Sequence, residues 1–175
     1  MPDLAQVRRR LLTGLLPALL VVAVDQASKW WIVGHVMDPP RFVELTSFFN
    51  LVMVWNKGIS FGLFGSGSSL AAIALPVLAA AVSVVLGLWM VRTPRRYLQV
   101  ILGLVIGGAV GNLIDRFRYG AVADFLDFHI AGFHWPAFNV ADSAITVGAV
   151  LLVADSLFNN ADKPNNRESQ GSDRS

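Results

Sequence analysis

The chain has 175 residues; the apolar set AVILMFWYC makes up 54% of them, and Asp, Glu, Lys and Arg together only 15%. Formal charge is +2, from 14 basic and 12 acidic side chains. So little charge cannot cover a soluble domain of this length, which excludes a disordered chain, a nucleic-acid-binding module and an ordinary cytosolic enzyme. The complete lack of cysteine also excludes a disulfide framework, a thiolate metal site and a cysteine nucleophile.

Four apolar runs, at 11–33, 70–91, 98–114 and 138–157, are long enough to cross the hydrocarbon core as helices. Lipid offers no water to the backbone, so each must satisfy its own hydrogen bonds. Arg8, Arg9 and Arg10 precede the first run, and Arg92, Arg95 and Arg96 lie between the second and third. The positive-inside rule puts both groups, and with them both termini, on the cytoplasmic side. Segments 34–69 and 115–137 then face outward, and Trp30 and Trp31 suit the outer aromatic belt. Residues 1–158 read as one polytopic membrane domain and 159–175 as a polar, disordered cytoplasmic tail. The first 30 residues share the outline of a cleavable leader, but the apolar run continues through Trp31, so the segment is expected to stay.

Between the first two spans, Leu51, Met53 and Trp55 alternate with Asn50, Val52, Val54 and Asn56. This predicts a strand in a small outward-facing sheet on the membrane, then a turn at Asn56-Lys57-Gly58. Residues 65–69 give a flexible entry to the second span.

Charged residues within a span cost a few kcal/mol each and need a reason. Asp25 and Lys29, at i and i+4, share a helix face near the outer end and read as an interface-anchoring pair. Gly103, Gly107 and Gly111 form a small-residue stripe for close helix packing. Asn112, Asp115 and Arg116 follow it; Asp115 and Arg116 diverge on a helix, so each needs a partner elsewhere. In the fourth span Asn139, Asp142 and Thr146 fall on one stripe beside Ser143, opposite an apolar face. Asp142 therefore points into the bundle or a wet cleft, about one turn below the outer surface.

The outward segment before that span holds Asp124, Asp127, His129 and His134. Two carboxylates brought close share one proton, so one can act as base and the other as acid on a water between them. An Asp124–Asp127 pair is disfavoured, since alternation along a strand sends them to opposite faces. No H-E-x-x-H is present, Ser28 and Lys29 diverge on a helix, and Ser143 lacks a G-x-S-x-G setting. Carboxylates are the best-supplied catalytic groups.

Four blocks, in order, resemble the bacterial lipoprotein signal peptidases, the type II signal peptidases. Asp25-Gln26-Ala27-Ser28-Lys29 is similar to the family's D-Q-x-[ST]-K motif, and Asn56-Lys57-Gly58-Ile59-Ser60-Phe61 to its N-x-G-x-[AS]-F motif. The run from Gly107 to Arg116 resembles G-G-A-x-G-N-x-x-D-R. Val122 to Phe125 and Phe138 to Ile145 resemble V-x-D-F and F-N-x-A-D-S-x-I.

The resemblance implies an aspartic endopeptidase of the inner membrane. It implies a mainly α fold of four transmembrane helices, with Asp124 and Asp142 as the catalytic pair. The implied substrate is a prolipoprotein whose cysteine already carries diacylglycerol, cleaved just before that cysteine at the outer leaflet. Asn56 and Gly58 are expected to line the cleft. Asn112, Asp115, Arg116 and Asn139 are expected to orient the aspartates and substrate, and Asp25 and Lys29 to tie the first helix to the outer loops. No cofactor and no metal are called for, and the enzyme is expected to act as a monomer in membrane lipid. The rival reading is a non-enzymatic small transporter or assembly factor that uses the same aspartates as an ion path.

Overall fold

A computed structural model describes residues 3–58 and 69–160. Asp3 caps the first helix by accepting the Gln6 N–H at 2.7 Å. That helix, α1 (Leu4–Trp31), runs on through a wider π turn at Ile32–Val36. Strands β1 (Val43–Thr46) and β2 (Phe49–Asn56) follow, then α2 (Ser69–Arg92) and α3 (Arg96–Tyr119). Strands β3 (Val122–Ile130) and β4 (Phe133–His134) lead into α4 (Val140–Asn160). All four helices are long and apolar enough to cross a membrane. The predicted entry at 65–68, the Ile59–Phe61 part of its motif and the tail from 161 lie outside the described residues.

Helix α3 is the hub, packing on α1, α2 and α4, and half of its apolar window is buried. The glycine stripe makes this possible. A Cβ on Gly107 would sit 2.6 Å from the Ala18 carbonyl oxygen of α1, and one on Gly111 equally close to Asp25 Oδ2. Only a bare Cα allows such an approach. The outward faces of α2 and α4 remain apolar and exposed, as at Val77, Val85, Val150 and Val153, as a lipid-facing surface requires. At the arginine-rich end, Arg10 donates to the Val91 and Arg92 carbonyls at 2.9 and 3.0 Å, capping the last turn of α2.

Helix α3 extends a turn past the predicted span, ending at Gly120 in the left-handed conformation with φ 72°. Asp115 and Arg116 are therefore helical residues. The sheet is larger than the loop between α1 and α2 alone would supply. It is antiparallel, in the order β1-β2-β3-β4, and its second half comes from the segment after α3. Phe125 of β3 packs on Ile32 and Met37, seating the sheet on the C-terminal end of α1. Between the pairs Leu51–Leu126 and Val54–Asp124 the register shifts, leaving one extra residue in β2. Such a bulge re-aims the strand beyond it; here that stretch ends at Asn56.

Candidate active site

Helix α4 starts with a reciprocal cap. Asn139 Oδ1 accepts the Asp142 N–H at 2.9 Å, and Asp142 Oδ2 accepts the Asn139 N–H at 3.2 Å. This is a capping box with an aspartate in the third helical position, so starting the helix fixes the Asp142 side chain. Asn112 Nδ2 donates to Asp142 Oδ1 at 2.7 Å.

Asp124, 1% exposed, arrives from β3. Its Oδ1 accepts from Asn139 Nδ2 at 2.7 Å and its Oδ2 from Asn56 Nδ2 at 2.9 Å. Asn56 pairs with Val122 in the ladder, so its bond to Asp124 runs diagonally past the bulge. Gly58 stands one step back: its N–H donates to Asn56 Oδ1 at 2.8 Å, forming the turn that orients Asn56. Gly58 has φ 73°, a conformation glycine adopts freely.

One amide, Asn139, thus touches both aspartates. Two adjoining clefts open on either side. One, of about 500 Å³, is lined by Asp124, Asn56, Lys57 and Trp55; the other, of about 540 Å³, by Asp142, Ser143, Thr146 and Phe138. Pro136 and Ala137 line both. Burial pushes the Asp124 carboxyl up to about 6. The Asn56 hydrogen bond opposes this, the charge of Asp142 adds to it, and Asn139 and Lys29 lower it.

Beneath this pair lies a buried ionic cluster. Lys29 Nζ is 2.9 Å from Asp25 Oδ2, 2.8 Å from Asp115 Oδ2 and 3.1 Å from Asn112 Oδ1. Three ammonium donors meet three acceptors. Lys29 is 2% exposed, and Asp25 and Asp115 fully buried, so the pair is no snorkelling anchor. Nor does it tie α1 to the outer loops alone. Asp25 Oδ1 accepts the Ala141 N–H of α4 at 2.9 Å, and Asp115 Oδ2 the Ala123 N–H of β3 at 3.1 Å. The cluster joins α1, α3, α4 and β3 under the site. The face of the first helix that carries Asp25 and Lys29 is covered by protein, while Trp30 and Trp31 beside it stay more than half exposed.

Gln26 belongs to the first motif block, but the resemblance assigns it no role in the site. It bonds Asp25, the Gly111 carbonyl and Asp115 at 3.0–3.1 Å. Arg116 sits at the margin: its Nη1 donates to the Asn112 carbonyl at 3.2 Å, and it lines a groove between α2, α3 and α4. Asp127 lies apart, bonded to Asn50 and His134. Among the described residues, no group of three or more His, Cys, Asp or Glu could hold a metal ion.

Residues 17–158 match the family profile of signal peptidase (SPase) II. A lipoprotein signal peptidase of Rhodopseudomonas palustris is 46% identical over 150 residues, covering 83% of this chain and 92% of the relative. One from Nitrobacter hamburgensis is 44% identical over 155 residues, with the same coverage of both. The fold is similar to a bacterial membrane enzyme solved by the in meso method at 2.3 Å. That comparison has a TM-score of 0.75 and 30% identity, and covers 87% of this chain and 92% of the other. A second such structure, at 1.9 Å, gives a TM-score of 0.72 and 31% identity over 83% of this chain and 92% of that one. With the family profile matched along most of its length, this chain belongs to the signal peptidase II family of proteases.

Proposed function

We propose that the chain removes signal peptides from diacylglyceryl-modified prolipoproteins by direct water attack, with Asp124 and Asp142 as the acid–base pair. The observation that carries this is Asn139, whose side-chain amide donates to the Asp124 carboxylate and whose backbone N–H donates to the Asp142 carboxylate, where two clefts meet. Family membership sets aside the transporter and assembly-factor reading.

Two carboxylates at such a junction share a proton. Below about pH 6 that proton sits on Asp124, whose burial favours the neutral form. Asp142 takes a proton from water as the water attacks the scissile carbonyl. Asp124 protonates the carbonyl oxygen, and the tetrahedral intermediate collapses as Asp142 passes its proton to the leaving amine and Asp124 regains its own from the intermediate's hydroxyl. No covalent acyl-enzyme forms. Asn56 and Asn112 hold the outer oxygens of the two carboxylates, and Asp25, Lys29 and Asp115 hold the helices that carry them.

The same reading makes residues 1–158 one domain of the bacterial inner membrane, with both termini and the 159–175 tail cytoplasmic and the site at the outer leaflet. The enzyme works there as a monomer. The test is cleavage of a diacylglyceryl-modified preprotein, in detergent, by the wild type and by Asp124→Asn and Asp142→Asn separately. Near-complete loss in both variants, each still folded, is the expected result. Full activity in either removes the pair, and equal cleavage of the unmodified preprotein removes the proposed substrate class.

A further inference from the structure

Strands β3 and β4 carry a polar cluster that the acid–base pair does not use. Asp127 is 5% exposed. Asn50 Nδ2 of β2 donates to its Oδ2 at 2.9 Å, and His134 Nδ1 of β4 lies 3.0 and 2.9 Å from its two oxygens. His129, the ladder partner of His134, stacks on it with ring centroids 4.8 Å apart. Glu44 of β1 pairs with Asn50 one strand further out. Burial would raise the Asp127 carboxyl, but the bonds from Asn50 and His134 and the charges of the two histidines hold it below the usual carboxylate range. Asp127 is therefore a charged anchor point on the sheet.

What it anchors is the chain entering the site. From His134 the backbone runs through Trp135, Pro136 and Ala137 to Phe138 and the cap of α4. The Trp135 N–H donates to the Phe128 carbonyl at 2.8 Å. Phe138 exchanges bonds with Leu126 at 3.1 and 2.8 Å. Between these fixed ends, Pro136 has no N–H to offer. Pro136 and Ala137 are the residues that line both the Asp124 and the Asp142 clefts. Strand β4 is only two residues long, so its ladder alone holds the near end weakly. The His134 side chain supplies a further hold.

We propose that Asp127 and His134 are a positioning pair for peptide-bond cleavage, pinning the Trp135–Ala137 strap that partitions the two clefts and so setting how tightly the substrate chain is held across them. The inference rests on the reading that Asp124 and Asp142 perform the chemistry. Neither Asp127 nor His134 touches those carboxylates, so their loss falls on substrate binding and leaves the chemical step intact.

The experiment measures kcat and KM of the full chain in detergent on a diacylglyceryl-modified preprotein. His134→Ala and Asp127→Asn should each raise KM about five-fold while kcat stays within about two-fold. His134→Asn, whose amide N–H can stand where the Nδ1 donor stood, should remain near wild type. The double variant Asp127→Asn/His134→Ala should be no worse than either single one, because both remove the same contact. Unchanged KM in both single variants overturns the proposal. So does a joint fall of kcat and thermal midpoint that His134→Asn does not rescue, the mark of a merely structural cluster. Absence of cleavage by the wild type strikes the function itself, whereas normal wild-type cleavage with an identical His134→Ala variant removes only the pin.

Discussion

Asn139 reaches Asp124 with its amide nitrogen, at 2.7 Å, while the oxygen of the same amide caps the backbone of Asp142 at 2.9 Å. The side chain that starts helix α4 therefore also fixes where the two carboxylates stand relative to each other. Those two tasks separate by substitution. Asn139→Ala removes both and should cost about 1 kcal/mol of stability through the lost cap. It should also cost roughly a hundred-fold in kcat through the misplaced pair. Asn139→Ser keeps a good cap but is too short to reach Asp124. Its thermal midpoint should recover while its kcat stays low. Full recovery of kcat in the serine variant would show that the bridge to Asp124 does not matter.

The rate should depend on pH as a bell. With Asp124 pushed up to about 6 by burial, the free enzyme keeps its shared proton below that pH and loses its acid above it. The alkaline limb of kcat/KM should fall near there, because that ratio reports the free enzyme. Bound substrate expels water and disfavours charge further, so the limb in kcat should lie at higher pH. The acid limb belongs to the pair as a whole taking up its second proton. Rates measured across the acid and neutral range test this, and a flat profile contradicts the shared proton.

Lys29 offers a different kind of test, one of stability. Among the described residues it is the sole cation bonded to two fully buried carboxylates, Asp25 and Asp115. Lys29→Met leaves both uncompensated and should destabilise the fold by about 3–5 kcal/mol. Lys29→Arg should not rescue it. The three acceptors converge on one small ammonium, and a planar guanidinium cannot meet them from that point. Thermal unfolding in detergent is the measurement, and a wild-type midpoint in Lys29→Met would show that the cluster is energetically idle.

How far the sequence carried this picture depended on whether a contact is local. Span count and the glycine stripe follow from apolar length and small-residue spacing, both readable along one helix. The polar stripe of Asn139 and Asp142 follows in the same way, and it proved to be the reciprocal cap of α4. The fate of Asp25 and Lys29 did not follow. Their i, i+4 spacing shows that they can pair, but not that Asp115, 86 positions after Lys29, closes over them. The sheet was half visible. Alternation marks β2, whereas β3 is buried along most of its length and shows no polar–apolar rhythm. The bulge that brings Asn56 onto Asp124 depends on the register between two distant strands.

The raised Asp124 carboxyl also makes the stability of the fold depend on pH. In the unfolded chain this group titrates near 3.8, and in the folded protein near 6. Between those values the folded state holds more protons than the unfolded one, so stability falls as pH rises through that window. Below it both states are protonated and the burden vanishes; above it the folded protein carries a buried charge in full. Asp124→Asn removes the titration and keeps the shape. The stability of Asp124→Asn minus that of wild type should therefore grow by about 1–3 kcal/mol from pH 4 to pH 8. The asparagine variant loses one acceptor toward Asn56 and Asn139, but that cost does not change with pH and drops out of the slope. All other titrating groups are common to the two proteins. Denaturation in detergent at several pH values gives the difference directly. A constant difference would mean that Asp124 is not strained by its burial, and would remove the argument that it holds the shared proton.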